Sequence, residues 1–213
     1  MLTKHLSGLF QLTDQLLLFY FMLDYKKKIQ IMLLRIADLN NENLLDAPEW
    51  QAYPYSCKYC LYWEFPEEPG NPSGESKLYN FQKKQNWLQQ TSQSWGRCGK
   101  LLYLDGKSSG YAQYAPARYF PNALNYPAGL PSDDAVLITC LFLPGKETHL
   151  KGLGSQLLHS ILVSLKERGV RAVETFARKG NSENPSGPVE FYLAHGFRIY
   201  KEHPDYPLLR LDS

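Results

Sequence analysis

The stretch "AVLITCLFL", residues 135–143, constrains this chain more than any other. It is an almost unbroken apolar run, stopped by Pro144-Gly145. Such a run predicts a central strand buried on both faces, the kind found in a sheet covered by helices on both sides. After a short loop, Leu153, Leu157, Leu158, Ile161, Leu162 and Leu165 recur at three-and-four spacing, and Gly169 follows. That spacing puts one apolar stripe on a helix. "VRAVETFA", residues 170–177, then reads as a second strand, so strand, helix and strand form a βαβ-type unit.

The helix of this unit opens unusually. Gly152 and Gly154 stand at its start with Lys151 ahead of them, and neither a small polar cap nor an acid occupies the first turn. Helix starts ordinarily prefer both. The first four N–H groups of a helix have no partner within it, and together with the helix dipole they attract anions. Glycine lets a bulky anion approach the backbone without meeting a Cβ. "HLKGLG" therefore reads as a phosphate cradle, although two glycines alone are equally compatible with a tight turn or close packing. The segment is neither a Walker A loop nor a dinucleotide-binding fingerprint, which need other glycine and lysine spacings.

The remainder supplies a mixed sheet. "IQIMLLRIADL" (29–39) is a candidate first strand, "LNNENLLDAP" a short helix, and 77–96 a longer helix ended by Gly96. "KLLYL" leads into Asp105-Gly106, a hairpin turn signal, and a second strand follows. Residues 117–134 form a long Pro-bearing loop. "PVEFYLAHG" (188–196) is a helix with Pro in its first turn, and "FRIYKEH" and "PLLRLD" are closing strands. At 213 residues and 44% hydrophobic content, one domain with an extension is expected. The net charge of +2 offers no field for nucleic acid. "LLLFYFML" (16–23) is too short for a membrane span. It is either a short amphipathic helix packed on the domain or upstream sequence preceding a start at Met32. Residues 1–31 are accordingly read as an extension and 32–213 as the domain.

Cys57 and Cys60 form a C-x-x-C, and Cys98 and Cys140 are isolated. Reduced structural thiols, half a metal site and a redox pair are the readings, with no second pair at metal spacing. Reduced thiols imply a cytoplasmic compartment.

An apolar strand, then Q/R-x-x-G-x-G/A, then a leucine-rich helix is the acetyl-CoA motif of the GNAT N-acetyltransferase family, which "LITCLFLPGKETHLKGLGSQLL" resembles. "FYLAHGF" (191–197) resembles the family's second signature, and the two stand in the family's order. The resemblance covers approximately 32–213. It departs at His149, where Gln or Arg is usual, and in the long loop "RKGNSENPSG", where Asn184 is nearest to the family's asparagine. It implies an α/β (α+β) GNAT fold whose mixed sheet splays between its fourth and fifth strands, with helices on both faces.

The function implied is acetyl transfer from acetyl-CoA directly to a primary amine of a small molecule or protein. The alternative is a catalytically inactive acyl-CoA or ligand-binding module. The pantetheine arm would pair with backbone near Leu141, Phe142 and Leu143. The diphosphate would sit on the N–H groups of Leu150, Lys151, Gly152, Leu153, Gly154 and Ser155, with His149 and Asn184 nearby. Tyr192 occupies the family's general-acid position. Glu174, on the second splayed strand, is the expected base, with Asp134 and Glu190 as rivals. Acceptor contacts are expected from Trp63, Glu64, Glu67, Glu68, Tyr111, Tyr114 and Tyr119. A monomer or homodimer is expected, with no nucleic acid, membrane span or metal.

Overall fold

A computed structural model describes residues 19–25, 28–49, 56–67, 75–144, 152–180 and 186–212. Its frame is an eight-stranded sheet in the order β1-β2-β3-β4-β5-β6-β8-β7. β1 (Phe19–Tyr25) and β2 (Lys28–Asp38) form a hairpin. After helix α1 (Glu75–Ser94) come β3 (Gly99–Leu104), β4 (Lys107–Pro116) and β5 (Ala135–Phe142). Helix α2 (Leu153–Glu167), β6 (Ala172–Phe176), the short helix α3 (Val189–Ala194), β7 (Arg198–Lys201) and β8 (Leu208–Asp212) complete it. Neighbouring strands run antiparallel except β5 and β6, which are parallel.

The hairpin of β3 and β4 turns at Asp105 and Gly106, whose φ angles of 49° and 79° are the positive pair that a two-residue turn of the right twist needs. The sheet separates two cores. Leu153, Leu157, Leu158, Ile161 and Leu165 of α2 cover one face, with Val136, Ile138 and Val173 beneath them. Trp87 and Leu88 of α1 cover the other, over Leu101, Leu137 and Phe176. β5 is buried on both faces, as its apolar run predicts.

The N-terminal segment differs from expectation. Phe19–Leu23 belong to a strand, not a helix, because they pair residue for residue with Ile31–Leu34 and their neighbours along β2. This added strand makes the splayed pair the fifth and sixth strands. "LNNENLLDAP" forms only a 3-10 turn, Leu44–Asp46, held by Asn40 and Asn43 side chains. Among the described residues no helix is long and apolar enough to cross a membrane.

Candidate active site

β5 carries one residue too many for its partner. Tyr114 faces Ile138 and Gln113 faces Cys140, so Thr139 is a bulge. Its effect is visible in the packing. Val136 and Ile138 point into the α2 core, but past Thr139 it is Leu141 and Leu143 that do so. A bulge bends a strand and sharpens its twist. Here the bend falls where β5 leaves β6: the parallel ladder runs from Ala135–Ala172 to Ile138–Thr175 and stops. β5 then runs on beside β4 to Phe142. The Thr175 hydroxyl donates to the Ile138 carbonyl at 2.9 Å and closes the ladder.

Tyr192 lies beneath this opening. The Arg178–Pro188 bridge ties the start of α3 to the chain just past β6, with Arg178 N donating to the Gly187 carbonyl at 2.9 Å. Val189 and Tyr192 then turn inward onto the α2 core. The Tyr192 hydroxyl is buried without a hydrogen-bond partner among the described residues. Burial pushes its pKa well up. It is a protonated phenol at neutral pH with its donor unspent, and such groups are rare enough in folded proteins to demand a reason.

At the start of α2, the two glycines prove to differ. Gly152 has φ +68° and caps the helix without any side-chain hydrogen bond, and a Cβ there would meet none of the described residues within 4 Å. A Cβ on Gly154 would meet the Phe191 ring at 3.4 Å and Leu143 at 3.7 Å. Gly154 therefore serves the packing of α2 on α3, whereas Gly152 is unobstructed among the described residues. The Gln156 N–H is taken by the Gly152 carbonyl at 3.1 Å. The N–H groups of Leu153, Gly154 and Ser155 have no partner among the described residues. His149, Leu150, Lys151 and Asn184 lie outside the described residues.

Glu174, the expected base, is engaged in a polar cluster. It faces the α1 side of the sheet, opposite Leu137, within the closed part of the ladder. Its fully buried carboxylate accepts from Ser132 N at 2.8 Å, Ser132 Oγ at 2.7 Å and Arg210 at 2.9 Å. Three of its lone pairs are taken, which leaves one on Oε2, inside the closed part of the ladder. Asp134 also pairs with Arg210 at 2.9 Å, which holds its carboxyl below the usual range. Arg210 is the centre of this cluster, a role that no local pattern near it announces.

On the α1 face, Lys84 and Glu64 form a buried ion pair. Gln113 donates to the same carboxylate oxygen, Glu64 Oε1, and Tyr111 donates to Gln113. Burial is the largest influence on Lys84 and opposes its charge, but the neighbouring groups, Glu64 first among them, together raise the lysine's pKa. Trp63, Tyr111 and Tyr114 are core residues. Glu67 is exposed, and Glu68 lies outside the described residues. Burial pushes the Cys60 thiol up, Cys98 to about 11 and Cys140 to about 12. These thiols stay protonated at neutral pH and are poor nucleophiles.

Neither a protein-family model nor a curated protein matches the sequence. Solved structures do match. An N-acetyltransferase from Staphylococcus aureus Mu50 is 14% identical, with a TM-score of 0.53 over 84% of this chain and 98% of that one. A ribosomal-protein-alanine N-acetyltransferase from Brucella melitensis is 16% identical, with a TM-score of 0.51 over 84% and 99%. The PaiA N-acetyltransferase of Thermoplasma acidophilum, solved in complex with coenzyme A, is 17% identical, with a TM-score of 0.50 over 84% and 99%. At these identities the likeness is one of architecture. The chain has the fold of the GNAT N-acetyltransferases.

Proposed function

We propose that this protein is an acetyl-CoA-dependent N-acetyltransferase acting directly on a primary amine. The observation that carries the reading is the unspent, buried Tyr192 hydroxyl beneath the point where β5 parts from β6. A thiolate leaving at that point needs a proton, and Tyr192 has one to give.

The chain's own groups divide the work. Leu153, Gly154 and Ser155 present their N–H groups to the diphosphate, and the space at Gly152, unobstructed among the described residues, admits it. The family resemblance assigns Leu150, Lys151, His149 and Asn184, outside the described residues, to the same cradle. Backbone of β5 around Leu141, flanked by Phe142 and Leu143, pairs with the pantetheine amides in the manner of an added strand. A backbone N–H of β5 past Ile138 steadies the developing oxyanion. The amine nitrogen forms its bond to the acetyl carbon as the carbon–sulfur bond breaks. Tyr192 protonates the departing sulfur and recovers a proton from the amine that has become an amide.

Calorimetric titration with acetyl-CoA, followed by detection of released thiol across a panel of amines, tests this. Saturable binding with thiol release on at least one amine is expected. No binding at high micromolar ligand overturns it. A second reading, an acyl-CoA-binding module without turnover, is favoured by the commitment of Glu174 to Ser132 and Arg210. Binding without thiol release across the whole panel is its signature.

A further inference from the structure

His195 sits at the end of α3 and reaches the first turn of α2. Its Nε2 lies 2.9 Å from Ser155 Oγ, and its Nδ1 lies 2.7 Å from the Phe191 carbonyl. That carbonyl is left over because the His195 N–H bonds to the Tyr192 carbonyl instead, at 3.0 Å. A carbonyl only accepts, so Nδ1 carries a proton. In the neutral ring Nε2 then has none and must accept, which obliges Ser155 to donate its hydroxyl proton to His195. The Phe191 ring packs against the imidazole, centroids 4.5 Å apart, and holds it in place.

We infer that His195 is a positioning residue for donor binding: it sets the direction of the Ser155 hydroxyl at the α2 start, so that binding of the diphosphate takes up a proton. The inference rests on the reading of α2 as the diphosphate cradle. With a neutral imidazole, Ser155 turns lone pairs outward, toward the anion. A second proton on the ring makes Nε2 a donor. Ser155 Oγ then accepts from it and frees its own O–H for a phosphate oxygen. The positive ring adds attraction. By linkage, a ligand that prefers the protonated state binds more tightly as pH falls, by at most about tenfold per pH unit for one proton.

Among the described residues, three charged or titratable side chains on the neighbouring elements are accounted for elsewhere or exposed. Glu190, on α3, is exposed in its first turn, and His159, one turn along α2 from Ser155, is also exposed. Arg198 on β7 is paired with Asp212 at 2.9 Å. Among the described residues no ion pair is made to His195.

The test is calorimetry with dephospho-CoA, whose diphosphate keeps its charge across this range and which lacks the titrating 3′-phosphate. Titrations at about pH 6, 7 and 8, in buffers of different ionisation enthalpy, give affinity and protons taken up. The expected result is several-fold tighter binding at the lowest pH, with net proton uptake. His195→Gln keeps a donor facing Ser155 and should bind with an affinity that no longer depends on pH. Ser155→Ala should lose the uptake while His195 remains. PH-independent binding by the unmutated protein, or uptake that persists in both variants and disappears in His149→Gln, overturns the role of His195. Absence of dephospho-CoA binding at every pH overturns the cradle itself, a different and distinguishable failure.

Discussion

Thr175 and Ile138 are joined by a hydroxyl-to-carbonyl hydrogen bond of 2.9 Å, and this bond marks the last rung between the two parallel strands. One residue further along β5, the Thr139 bulge turns the strand. The side-chain bond replaces the next backbone rung and leaves the opening beside a buried phenol. Sheet geometry and the candidate chemistry thus meet at one rung.

Tyr192→Phe separates chemistry from packing at that point. Turnover should fall by about a hundredfold, the low end of what a general acid contributes, while acetyl-CoA affinity stays within about twofold. The hydroxyl has no partner to lose among the described residues, so the melting temperature should hold or rise. Thiol-release kinetics and thermal unfolding on the same preparation check both halves.

Gly152→Ala and Gly154→Ala should behave differently although they are two residues apart. At Gly152 the positive φ makes any side chain cost about 1–2 kcal/mol. At Gly154 the added methyl makes near-ordinary contact with Phe191, and alanine's helix preference contributes about 1 kcal/mol. Chemical denaturation should show Gly152→Ala destabilised and Gly154→Ala neutral or stabilised.

The Lys84–Glu64 pair is enclosed on the α1 face, both side chains nearly inaccessible. Lys84→Met leaves a buried carboxylate without its cation and should cost about 3–5 kcal/mol. Adding Glu64→Gln should restore a substantial part of the loss. Denaturation of the two variants reads the difference directly.

Acid stability follows from the Arg210 cluster. Arg210 lowers Asp134, and Arg198 with Arg210 lowers Asp212, relative to the ordinary aspartate value of about 3.9. The folded state then binds fewer protons than the unfolded state. This contribution is fully present above that ordinary value and is lost as pH falls through the lowered ones. Arg210→Gln should therefore lower the melting temperature more at about pH 7 than at about pH 2, below the ordinary aspartate value, where this contribution is diminishing.

Much of the fold is legible because local pattern and burial agree. The apolar run of β5, the leucine stripe of α2 and the Asp105-Gly106 turn each dictate one structure. What escapes the sequence is long-range. Nothing near Glu174 announces that Arg210, thirty-six residues on, occupies its carboxylate. Nothing around Thr139 marks it as the extra residue, since an apolar run looks the same with or without a bulge. Ser155 and His195 are forty residues apart and belong to two separate motifs. The identity of Gly154 is a packing matter visible only once Phe191 is beside it.

The most direct test follows the backbone amide resonances of Leu153, Gly154 and Ser155 while acetyl-CoA is added. The account predicts saturable shifts at these amides, in step with perturbation of the Tyr192 ring. Binding that moves neither, or no response at high micromolar acetyl-CoA, would contradict it.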